Sequence, residues 1–258
     1  MLEQLIGVNV FLFLLVFTRV GAALMWLPGV GTGAVPANVR LAIALVASLA
    51  LVAPLTPVLP PPPAQPSALA ILLAGEALIG TLFGLVGRVL LGALQTTGTF
   101  IALFASIANA FVTDPVAEQQ SSTVSGFLSL VGATLIVATD LHEVMLRALA
   151  GTYGLFVPGE PPPVGDIADM FARQVAAAFL LGFQLSAPFL IAALIYNVGL
   201  GVLGRLMPML QVFFFGLPAQ IAMQIWLLTA VASGMMLVFA ERYRLAWDIF
   251  VAPGPAGG

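Results

Sequence analysis

Three charged side chains stand inside long apolar runs: Arg19, Glu76 and Arg88. A lone charge in hydrocarbon costs a few kcal/mol on insertion scales, so each must face protein, water or a partner. Glu76 and Arg88 are twelve residues apart, which on one helix puts them on different faces and several turns apart. They are therefore not a pair. Such charges can line a substrate or proton pathway, as in a small-molecule secondary transporter. They can also pair between helices inside an assembly, or lie where a helix leaves the bilayer. Asp140, His142 and Glu143 have the residue types of a metal site. Asp140 and Glu143 share a helix face, His142 does not, and the chain has no second His. A polar helix end near an interface fits them better than a metal does. There is no GxSxG, no Gly-Lys-Ser/Thr loop, no Lys and no Cys. Nothing here resembles a self-contained hydrolase, ATPase or thiolate site, so no catalysis and no cofactor are expected.

The elements that carry these residues are set by composition. The chain has 258 residues, 61% hydrophobic and 7% charged. Soluble domains average about 25% charged. The deficit extends along the whole chain, so the expected fold class is all-α, a membrane-associated polytopic protein of about six long hydrophobic helices. The runs are too long and too poorly alternating for barrel strands. The formal charge of −3 gives no reason to expect nucleic acid as a partner. The first run holds Glu3 and no basic residue before Arg19, so it reads as a retained helix, not a signal peptide.

The sequence places a first helix at about Leu5 to Leu27, ended by Pro28 and glycines, and a second from Asn38 or Val39 to Leu55. Pro57 to Pro66 is an extended, proline-rich linker. The stretch from Ser67 to Val112 has nothing that stops a helix. At full length it would reach roughly 69 Å, about twice a hydrocarbon core. It must break, with Gly92 and Gln95–Thr99 as the favoured bend, or project beyond the bilayer. Gly80 and Gly84 form a GxxxG pair where another helix can approach closely. A polar interruption follows at Thr113–Ser125. It reads either as an ordinary solvent loop or as a re-entrant segment lining or blocking a water-filled space. Further helices are expected at about Ser125–Phe156, at Ile167–Val202 with a kink at Pro188, and at Ala219–Tyr243. Arg40 and Arg205 flank loops that the positive-inside rule puts in the cytoplasm. Arg242 and Arg244 conflict with that orientation.

Several ordered fragments share one spacing pattern. They are Thr18-Arg19-Val20, Pro28, Val35-Pro36, Thr113-Asp114-Pro115, Gly159-Glu160-Pro161, Ala187-Pro188, Asn197 through Arg205, Met207-Pro208, Gln211 and Gly216-Leu217-Pro218. Together they resemble the FliR family of flagellar and type III secretion export-gate proteins, over about Leu5 to Arg242. The resemblance implies a subunit that assembles with FliP-like and FliQ-like subunits into a hetero-oligomeric cone of helical hairpins around a pore. It implies location in the bacterial inner membrane at the flagellar basal body, inside the basal-body ring and with membrane lipid, and an FlhB-like protein on the cytoplasmic side. Unfolded exported proteins would pass through.

By the same resemblance, residues 1–165 are FliP-like, 166–243 a FliQ-like hairpin and 244–258 a flexible tail. A pore plug falls at about 107–123, with Asp114 and Pro115 matched directly and Glu118, Gln119, Gln120, Ser121 and Ser122 by position. The hairpin's cytoplasmic tip would comprise Gly204, Arg205, Met207, Pro208, Gly216 and Pro218. Arg19, Gly80, Gly84 and Pro188 are the expected helix-packing positions.

Overall fold

The computed structural model describes residues 2–29, 31, 35–106, 123–207 and 212–251. Among these the secondary structure is helical throughout: α1 (Leu2–Trp26), α2 (Ala37–Leu55), α3 (Pro66–Phe104), α4 (Thr123–Ala138), α5 (Leu141–Leu155), α6 (Val164–Leu206) and α7 (Val212–Val251). Four helices are long and apolar enough to cross a membrane, or five if the bent α4–α5 pair counts as one span. The protein is an all-α membrane protein.

Helix ends follow local chemistry. Pro28 and Gly29, at φ +90°, turn the chain after α1, where the Gly31 amide donates to the Leu27 carbonyl at 2.7 Å. Pro36, at ψ 146°, is extended and starts α2. Ser106 takes φ 59° just past α3, the left-handed conformation that ends many helices.

Three elements differ from the sequence reading. α3 runs unbroken through Gly92 and Gln95–Thr99. The Thr96, Thr97 and Thr99 hydroxyls donate back to the carbonyls of Gly92, Ala93 and Gln95. These polar side chains are satisfied without breaking the helix. The expected single helix at 125–156 is instead two, bent by 74°. Asp140, at φ 55°, makes the break. An acidic side chain tolerates that conformation better than most. The last two helices are longer than expected. α6 extends to Leu206 and α7 begins at Val212, with Pro218 inside it. Proline lacks an amide, so α7 forgoes one internal hydrogen bond at Pro218, in its second turn. α7 also continues to Val251, into the region expected as a tail. Trp247 and Phe250 are buried there and hold it.

The chain divides into two compact units. The first comprises residues 1–90, 136–175 and 242–258. Its core packs Leu15, Val20, Phe83, Val86, Leu149 and Trp247, with the Phe83 ring 4.8 Å from Trp247 and 5.3 Å from Phe250. The second comprises residues 91–135 and 176–241. It buries Leu94, Ile101, Leu128, Leu185, Phe189 and Phe239. Phe100 meets Phe179 and Phe183 edge-on there.

Candidate functional site

A buried polar constellation in the first unit centres on Arg19, which is wholly buried. α1 presents it to α3 and α5. Its Nε and Nη2 donate to Glu76 Oε2 and Oε1 at 2.5 and 2.9 Å, a two-pronged pair. Nη2 also donates to the Phe156 carbonyl at 2.9 Å, and Nη1 to Thr152 Oγ1 at 3.4 Å. The guanidinium carbon stands 4.0 Å from the centre of the Tyr153 ring. A planar guanidinium with five donors suits this geometry, where an ammonium would not. The Phe156 carbonyl is one of the acceptors left free at the end of α5, so Arg19 also caps that helix.

α1 and α3 can bring these charges together because glycine removes the barrier between them. A Cβ on Gly80 would overlap the Arg19 carbonyl oxygen, and one on Gly84 would overlap that of Ala23. Arg19, Gly80 and Gly84 thus share one interface, one helical turn of α3 apart. Pro188 stands elsewhere, inside α6 in the second unit. The residues that complete the Arg19 cluster, Thr152, Tyr153 and the Phe156 carbonyl, carry no local sequence signal. Arg19, which they share, is at least 133 positions away in the chain.

Arg88 is not part of this cluster. It is exposed and lies over the Trp26 ring at 5.3 Å. Arg19 and Glu76, two of the three charges that motivate a transport pathway, instead neutralise each other. Glu143 pairs with Arg147 at 3.2 Å on the surface of α5. Among the described residues no group of three His, Asp or Glu is placed to hold a metal.

The second unit contains the described part of the expected hairpin tip. Gly204 and Arg205 end α6, Met207 follows it, and Gly216 and Pro218 lie in the first turns of α7. Pro208 lies outside the described residues. The Tyr196 hydroxyl donates to the Gly216 carbonyl at 2.7 Å and joins the two arms. Gln220 and Gln224, both buried, donate to the carbonyls of Phe104 and Phe189. The expected plug residues Asp114, Pro115, Glu118, Gln119, Gln120, Ser121 and Ser122 lie outside the described residues.

Much apolar surface is left uncovered. Only 11% of the α2 span and 17% of the α7 span is buried within the chain. Leu49, Ile195, Trp226 and Leu237 are each about two-thirds or more exposed. Such surface needs lipid or other subunits against it.

Residues 10–246 match the model of bacterial export proteins, family 1. The chain belongs to this family. Among similar family 1 export proteins is the flagellar biosynthetic protein FliR of Caulobacter vibrioides, 37% identical over 242 residues, 94% of this chain and 96% of that one. FliR of Bacillus subtilis is 29% identical, covering 90% of each chain. The Yop proteins translocation protein T of Yersinia pestis is 28% identical over 70% of each. As a family 1 export protein, the chain is a component of a bacterial secretion export apparatus with several membrane-crossing helices.

Proposed function

We propose that the chain is a non-catalytic subunit of the flagellar type III protein export gate. In this reading it joins FliP-like and FliQ-like subunits in a gated pore of the inner membrane, within the flagellar basal body. An FlhB-like protein packs on the cytoplasmic side, and unfolded flagellar proteins are the cargo. The observation that carries the reading is the end-to-end match to a flagellar FliR at 37% identity. The bare apolar flanks of α2 and α7 support it, since a lone chain has no cover for them. Residues 1–165 would be the FliP-like part, 166–243 the FliQ-like hairpin, and 107–123 the plug. The internal pairing of Arg19 with Glu76 removes much of the motive for a small-molecule transport pathway.

Affinity purification of the tagged full chain in mild detergent tests the reading. FliP-like and FliQ-like chains should copurify in fixed ratio, and deletion of the gene should abolish filament assembly. A stable monomer from motile cells, free of both partners, would sink the proposal.

A further inference from the structure

Nothing in the local sequence stops α3 where it stops. The helix ends at Phe104, yet no Gly or Pro stands between Ser106 and Pro115, and the residues read as helix as far as Val112. Helices commonly end on a glycine in the left-handed conformation. Here Ser106 takes that conformation, at φ 59°, and its Cβ makes it costlier than it is for glycine. Two backbone bonds build the turn. The Ala105 amide donates to the Ile101 carbonyl at 2.8 Å, the last bond of helical spacing. The Ser106 amide then tightens onto the Leu103 carbonyl at 3.1 Å.

The stop is imposed from another helix. Gln220 of α7, 1% exposed, donates its Nε2 to the Phe104 carbonyl at 2.7 Å. In a helix running on past Ser106, that carbonyl would accept from the amide four residues ahead, at position 108. Gln220 therefore takes the acceptor that the next helical turn needs. One turn along the same face of α7, Gln224 donates to the Phe189 carbonyl of α6 at 3.1 Å, beside Pro188. The two amides thus set α7 against the end of α3 and against α6 at once, all within the second unit. Both Oε1 atoms are buried and, among the described residues, accept from no donor. A buried acceptor left so costs stability. The stopped form therefore carries two penalties, the left-handed Ser106 and the bare Gln220 Oε1, against one short hydrogen bond.

We propose that Gln220 is a latch that holds α3 short. With the latch engaged the helix ends at Phe104; with it withdrawn α3 continues past Ser106. The position of α7 is thereby converted into the length of α3, a two-state element with a narrow margin between its states. The latch does not depend on the chain's place in an export gate. On that reading it also fixes where the proposed plug segment, 107–123, begins.

Hydrogen exchange on the full chain, purified with the partners it retains, tests the latch through the amides of residues 107–110. These are the amides that a continued helix would bond to the carbonyls of residues 103–106. Gln220→Leu removes the latch, and Ser106→Ala leaves it in place but disfavours the left-handed turn. Exchange at 107–110 should slow about fivefold in Q220L, the population shift that one hydrogen bond is worth. It should also slow in S106A. Adding Ser106→Gly to Q220L should return the rate to that of wild type, because glycine accepts the left-handed turn and weakens the helix. A mere loss of packing at α7 would speed exchange, and no glycine at 106 would reverse it. Unchanged or faster exchange in Q220L and S106A would overturn the inference, as would a Q220L/S106G chain still slowed like Q220L. Should Q220L fail to fold, S106A alone decides, by slowing exchange or by leaving it unchanged.

Discussion

Arg19 and Glu76 stand fifty-seven residues apart in the chain, and both carboxylate oxygens of Glu76 accept from the Arg19 guanidinium, at 2.5 and 2.9 Å. Neither side chain reaches solvent. The pair, with the Phe156 carbonyl, fixes α1, α3 and α5 in one register. A buried pair is weak evidence for stability in itself, because desolvation of both ions offsets their attraction. Its consequence is that neither partner can be lost alone.

Arg19→Met should therefore leave Glu76 buried and unpaired, and destabilise the fold by about 3–5 kcal/mol. The double variant R19M/E76M should recover most of that loss. Thermal unfolding followed by size-exclusion chromatography in detergent reads both. A double variant as unstable as the single one would show that the ion pair itself is needed.

Glycines at close and open positions should respond oppositely. Gly80→Ala forces a methyl group into the Arg19 carbonyl and should cost about 1–3 kcal/mol. Gly92→Ala meets nothing within 4 Å on the same helix and should be neutral or stabilising by up to ~1 kcal/mol. The two melting temperatures, measured side by side, separate a packing contact from a general helix propensity effect.

Asp140 makes the 74° bend at φ 55°. Asp140→Gly removes the side-chain clash of that conformation and should raise stability by up to ~1 kcal/mol, whereas Asp140→Val should lower it by more. Protease half-lives of the three forms give the ranking.

Tyr196→Phe deletes the hydroxyl that holds Gly216 across the α6–α7 hairpin. The loss should be about 1 kcal/mol. Hydrogen exchange should rise in the adjoining turns of α6 and α7 and leave the Arg19 cluster unchanged.

Deleting Asp114 through Ser122 should raise ion leakage through the assembled gate if this segment closes the pore. Planar-bilayer conductance equal to wild type would assign it to an ordinary loop.

The sequence by itself determined the class of the protein. Apolar runs far longer than a strand, with 7% charge, leave helices that must be hidden from water as the only solution. The prolines and glycines that end α1 and begin α2 were legible for the same reason, since they act on their own backbone. The close approach at Gly80 and Gly84 was legible as a possibility, because a missing side chain is a property of one helix alone. What faces that gap was not, because it depends on α1. The partner of Arg19 was likewise out of reach. Periodicity excludes Arg88 as the mate of Glu76, but no local rule selects Arg19 across fifty-seven residues. Helix continuity at Gln95–Thr99 and the break at Asp140 also needed the tertiary structure. Threonine hydroxyls can either disrupt a helix or bond back into it, and a single Asp can cap a helix or turn it. Which one occurs is not written in the local residues: only the fold brings Ser125 to Gln95, where its hydroxyl donates to the Gln95 carbonyl, thirty residues away in the chain.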